Sequence, residues 1–204
     1  MLLWSSARVH AGTVVTERPD VQQAIGAHMT GLIETEPIAE IQNGLEERGR
    51  LLLNPQATID QVRGYEKAVA AGFQKIAVTV ARTRTRARTN AHEARALREL
   101  GAKLGYRPFL LAVHTTGISE AEASALANNY YLVWSCASRA VREVVAERAR
   151  LQMGISIPVF ALTDEGKLLL LNRALYFVGS LVMHRTGLSL VPVGKQPEPM
   201  IYIA

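Results

Sequence analysis

The sequence predicts an α/β protein, built as a three-layer, open and mostly parallel sheet of five or six strands with helices on both faces. Three observations lead there. Short apolar runs rich in β-branched residues alternate with longer amphipathic segments, the rhythm of βαβ units. The runs KIAVTVA, FLLAVH, YLVWS and IPVFAL are almost continuously apolar, as burial on both faces of a parallel sheet requires. Helix-starting and helix-stopping residues fall between them at the right distances. Together these describe a Rossmann-like arrangement.

The elements follow in order. A first strand is expected within Leu2–Val9, extended by Thr13–Thr16 after a kink at Gly12. ERPDVQQAIGAHMTGLIET reads as a helix, with Pro19 in its first turn and Val21, Ile25, Met29 and Leu32 at helical spacing. His28 would then lie mid-helix between Gly26 and Gly31, a costly placement that close approach of the sheet or of a ligand would explain, the sheet being the plainer cause. Pro37 opens a second helix through Glu47, and Leu51–Leu53 form a short strand. Thr58 caps a helix carrying Ile59, Val62, Ala68 and Val69 on its apolar face, ended by Gly72. After the strand KIAVTVA comes a helix from Asn90 to Leu104, closed by Gly105. Ser119 caps a helix through Ala127, and Ser138 caps a long one, RAVREVVAERARLQM, stopped by Gly154. The last helix begins in LTDEGKLLLLNRALYFV, with Asp164 and Glu165 at its favourable N-terminal end. Residues 1–190 are expected to form one domain. VPVGKQPEPMIYIA carries three of the eight prolines and predicts an extended arm over 191–204, packed on its own core edge or on a partner subunit.

Composition excludes several classes. A chain of 204 residues that is 49% apolar can bury a core without staples. Its single cysteine rules out an internal disulfide framework and any multi-cysteine zinc site; no metal site is expected. Lacking an apolar run of about 18 residues, and with a poor signal peptide in MLLWSSARVHAG, the chain is expected to be soluble and cytoplasmic. The net charge of +5 owes most of its excess to Arg82, Arg84, Arg86 and Arg88. One short basic cluster points to a partner contact, a solvated loop or a local anion site. Sparse aromatics that do not interleave with basic residues argue against nucleic acid.

Ligands of open parallel sheets bind beyond the carboxyl ends of the strands. The residues there are Gly12 and Thr13, Thr79, His114 with Thr115 and Thr116, then Ser135, Cys136 and Ser138 with Arg139. Small hydroxyl residues recur at these ends, which suits an anionic or polar small molecule. His114 closes an apolar strand and is the candidate general acid or base; a histidine that only orders the strand end is the plainer reading. Cys136 sits between a strand and a helix start, where the helix dipole and Arg139 favour its thiolate. It is a candidate nucleophile, or a small core residue under the loop. His114 and Cys136 on adjacent strand ends would make the smallest nucleophile–base pair this chain can offer. His10, His92 and His184, with no carboxylate or histidine at ligand spacing, read as surface or structural. No Walker A, GxGxxG, GxSxG or HExxH motif occurs, so the cofactor stays unknown.

Several blocks carry a more specific signal: GTVVTERPDVQQAIGAHMTGLIET, TIDQVRGYEKAVAAGFQKIAVTVA, AVHTTGIS, CASRAVRE and GISIPVFALTDEGKLLLL. Together they resemble the methanogenesis marker protein 8 family, from about Gly12 to Leu171. The resemblance implies an archaeal protein tied to methanogenesis, in cofactor synthesis or in maturation of methyl-coenzyme M reductase, without an assigned reaction. Members of that family carry an additional N-terminal region with several cysteines, which this sequence begins without. The Arg82–Arg88 run replaces a more acidic connection. Both departures predict a shortened, diverged member. Two readings stay open: a ligand-binding protein or enzyme using the strand ends, and a non-catalytic assembly factor using the arginines and the C-terminal arm.

Overall fold

The computed structural model describes residues 6–10, 13–16, 27–30, 34–47, 51–58, 60–81 and 90–178, and the chain packs as two compact units, Met1–Leu111 and Ala112–Ala204.

In the first unit, β1 (Ser6–His10) pairs in parallel with β5 (Lys75–Ala81), Val9 opposite Val78 and His10 opposite Thr79. On its other edge β1 pairs antiparallel with β2 (Thr13–Thr16), Val9 opposite Val14. The chain therefore reverses after His10 rather than continuing the first strand through a kink. Helices α1 (Ala39–Glu46), α2 (Gln61–Ala70) and α3 (Asn90–Leu104) complete the unit. Asp60 caps α2 by accepting from the Arg63 N–H at 3.0 Å, which moves the helix start two residues past Thr58. The core is Tyr65, Ala68, Ile76, Val78, Val80, Ala94 and Leu97. Each fully buried Val, Leu or Ile stabilises by roughly 1.5–3 kcal/mol relative to exposure.

The helix expected over ERPDVQQAIGAHMTGLIET is not formed where the chain is described. Instead β3 (Ala27–Thr30) pairs antiparallel with β4 (Glu34–Pro37), and His28 lies opposite Glu36. Gly26 and Gly31 bracket four residues, too few for a helix but enough for a hairpin strand. Of Leu51–Leu53, Leu51 alone makes a strand-type bridge.

The division between the units falls within β6 (Phe109–Val113). In the second unit α4 (Glu120–Asn129) begins with a capping box: the Ser119 hydroxyl accepts from the Glu122 N–H, and the Glu122 carboxylate accepts from the Ser119 N–H at 2.8 Å. Strand β7 (Leu132–Trp134) pairs antiparallel with β9 (Val159–Ala161), which pairs antiparallel with β8 (Leu151–Met153). Helix α5 (Asp164–Ala174) is capped by Thr163, whose hydroxyl accepts from the Gly166 N–H at 3.1 Å. Ala123, Leu126, Tyr130, Val133, Val141, Val145 and Phe160 form the core. The long helix expected to run to Met153 is shorter: it passes through a π-helical turn, Val141–Val145, and a 3₁₀ turn, Ala146–Arg148, and stops. Ala149 is extended and the Arg150 N–H donates to Ala161 O at 2.7 Å, so pairing with β9 takes the segment that local propensity assigns to helix. Gly154, at φ +83°, turns the strand rather than capping a helix. The chain is thus α/β with an open sheet and covering helices, and the antiparallel strands β2, β8 and β9 are additions to the parallel pattern.

Candidate functional site

The turn after β6 and the turn after β7 share an uncommon backbone feature. His114 has φ +54° and Cys136 φ +47°; among the described residues Ala57 is the one other non-glycine residue at positive φ. The left-handed region costs a residue with a Cβ roughly 1–2 kcal/mol, so surrounding contacts must hold both in place. Those contacts are visible. Thr115 is fully buried, and its hydroxyl lies 2.7 Å from Trp134 O and 2.9 Å from Ser135 O, sharing one proton between two carbonyls of the neighbouring turn. The Ala137 N–H donates to the Thr116 hydroxyl at 3.4 Å. Within the second turn the Ser138 N–H donates to Ser135 O at 3.0 Å, and the Ser135 hydroxyl donates to Cys136 O at 3.2 Å. Hydroxyl side chains therefore stitch the His114 turn to the Cys136 turn. His114 is exposed and Cys136 half-buried.

The segment after Cys136 supplies the charge. Ser138 is buried and its hydroxyl accepts from the Val141 N–H at 3.3 Å, as the expected helix cap. Arg139, expected at the ligand, is exposed and its Nε donates to Glu143 at 2.7 Å. Arg142 behaves differently. Only 4% exposed, it donates from Nη2 to Cys136 O at 3.0 Å and to Ser156 O at 2.9 Å, while its Nε is buried with no partner among the described residues. Sequence reading passed over Arg142 because a charge between valines looks like a solvated face. Its position, four after Ser138 and three before Val145 on one helical stripe, carried the signal.

The remaining expected site residues fall elsewhere. Thr79, expected at the strand end, lies inside β5, which runs on to Ala81; it is fully buried, with no partner for its hydroxyl among the described residues. Thr13 opens β2. Gly12, Arg82, Arg84, Arg86 and Arg88 lie outside the described residues, as does the 191–204 arm. No group of three His, Cys, Asp or Glu among the described residues is placed to hold a metal ion, and no described helix is long and apolar enough to cross a membrane.

An α/β protein with small hydroxyls, a histidine and its one cysteine on two joined turns is the class that fold and geometry define. Residues 8–175 match the family described as an uncharacterized protein conserved in archaea (DUF2099), and the chain belongs to that family. It is 35% identical over 194 residues to the uncharacterized protein MJ0054 of Methanocaldococcus jannaschii. That alignment takes in 94% of this chain and 64% of the relative. No solved structure matches the chain.

Proposed function

We propose that this chain binds a small polar or anionic molecule at the joined turns after β6 and β7 and transforms it, with Cys136 as nucleophile and His114 as general acid–base. The observation that carries the reading is that these two residues both hold left-handed conformations on turns tied together by buried hydroxyl groups. Backbone held in costly conformations concentrates at sites of chemistry. A thiol and an imidazole on two joined turns suit group transfer through a covalent intermediate. His114 would take the proton from Cys136 Sγ, the sulfur would form the new bond, and the imidazolium would return the proton to the departing group. Thr115, Thr116 and Ser138 would position the turns. Resemblance to the methanogenesis marker protein 8 family supports a cytoplasmic role in synthesis of a methanogenic cofactor.

The test is genetic. His114→Ala and Cys136→Ala, each returned to a deletion strain, are expected to leave the deletion phenotype in place. Full complementation by both would remove the enzyme reading.

One further observation supports a second reading, a non-catalytic assembly or maturation factor for methyl-coenzyme M reductase or a related complex. Leu168, Leu175 and Tyr176 on and after α5 are 68%, 79% and 73% exposed, more apolar surface than a solitary helix end needs. On that reading Arg84→Glu with Arg86→Glu abolishes complementation while the His114 and Cys136 variants complement.

A further inference from the structure

We infer that Arg142 makes the Cys136 turn selective for a ligand bearing an oxyanion, a carboxylate or a phosphate. The inference deepens the reading of Cys136 as nucleophile and rests on it. A guanidinium cannot shed its proton to escape burial, as a lysine or histidine can. A buried cation without a counter-charge is costly to the fold. Arg142 is 4% exposed, no carboxylate among the described residues pairs with it, and its bonds go to two neutral carbonyl oxygens, Cys136 O and Ser156 O. Its buried Nε has no acceptor among the described residues. The nearest basic neighbour in sequence, Arg139, is exposed and already paired with Glu143, so solvent and its partner screen it. Among the described residues the charge of Arg142 therefore has neutral partners alone. It is anchored directly to the carbonyl of the residue whose sulfur would react, so its field reaches whatever approaches that sulfur. An anionic group arriving there supplies the missing counter-charge, and a neutral one does not.

Because Cys136 is the chain's one cysteine, its alkylation reads that field directly. Iodoacetate and iodoacetamide react identically, the thiolate sulfur forming a bond to carbon as iodide departs, and differ in charge. The measurement is the ratio of their rate constants, iodoacetate over iodoacetamide, for the native full chain at low salt, divided by the same ratio in urea. The expected value is on the order of tenfold above unity, given one unit charge within several ångströms in a medium of intermediate dielectric. Arg142→Gln should return it to about one, and Arg142→Lys should keep it raised. Sodium phosphate and sodium succinate at matched ionic strength should slow the native reaction, and the stronger competitor identifies which oxyanion is preferred. A native ratio equal to the unfolded one overturns the inference while leaving the nucleophile intact. Slow modification by both reagents in the native chain alone overturns both together. If Arg142→Gln does not fold, the native ratio and the competition still decide.

Discussion

Tyr65 is fully buried and its hydroxyl donates to Tyr106 O at 2.5 Å. Burial pushes its ionisation up from 10.0 to about 12. Between those values the unfolded chain has released the phenol proton and the native chain has kept it, so stability falls as pH rises through that window and is fully present below it. At about 1.4 kcal/mol per unit, the loss amounts to roughly 2–3 kcal/mol. Urea midpoints measured from pH 7 to 12 should show this decline, and Tyr65→Phe should flatten it while costing about 1 kcal/mol at pH 7 for the lost hydrogen bond. Thr115 makes the corresponding argument at the candidate site. Thr115→Val keeps the shape and removes the proton shared by Trp134 O and Ser135 O, leaving Ser135 O with the Ser138 N–H and the two turns without their buried hydroxyl bond. The variant should lose about 1–3 kcal/mol in a denaturation experiment and fail to complement the deletion strain as the Cys136 variant does.

Among elements, α4 and α5 owe their starts to side chains that the sequence displays plainly. The Ser119 capping box predicts that Ser119→Ala lowers stability by about 1 kcal/mol. In α5 a Cβ on Gly166 would run into the carbonyl oxygen of Tyr131, because the first turn of the helix lies directly on the backbone leading into β7. Gly166→Ala should therefore destabilise by roughly 1–3 kcal/mol despite its better helix propensity, and thermal melting of the two variants separates the effects. The same elements show what sequence can reveal. β5 and α3 keep their expected bounds, Lys75–Ala81 and Asn90–Leu104, since an unbroken apolar run and a glycine stop at Gly105 are local signals. β3, β4 and β8 were illegible for the opposite reason: MTGLIET and RARLQM have acceptable helical periodicity, and backbone pairing with a partner strand decides the outcome. His114 and Cys136 were found by their place at strand ends. Their left-handed conformations and the buried charge of Arg142 depend on contacts that only the folded chain possesses.

At the scale of the whole molecule, the two units divide the expected site. Thr79 belongs to the first unit, and His114, Thr115, Thr116, Cys136, Ser138, Arg139 and Arg142 to the second. The second unit therefore holds every part of the proposed chemistry, and turn-to-turn hydroxyl bonds join the two turns that carry His114 and Cys136. The most direct measurement of that claim is the rate constant for iodoacetamide modification of Cys136 in the native protein near neutral pH, with and without His114→Ala. If the imidazole serves the thiol, the variant reacts more slowly by on the order of tenfold while both chains react alike in urea. Equal native rates would contradict the account.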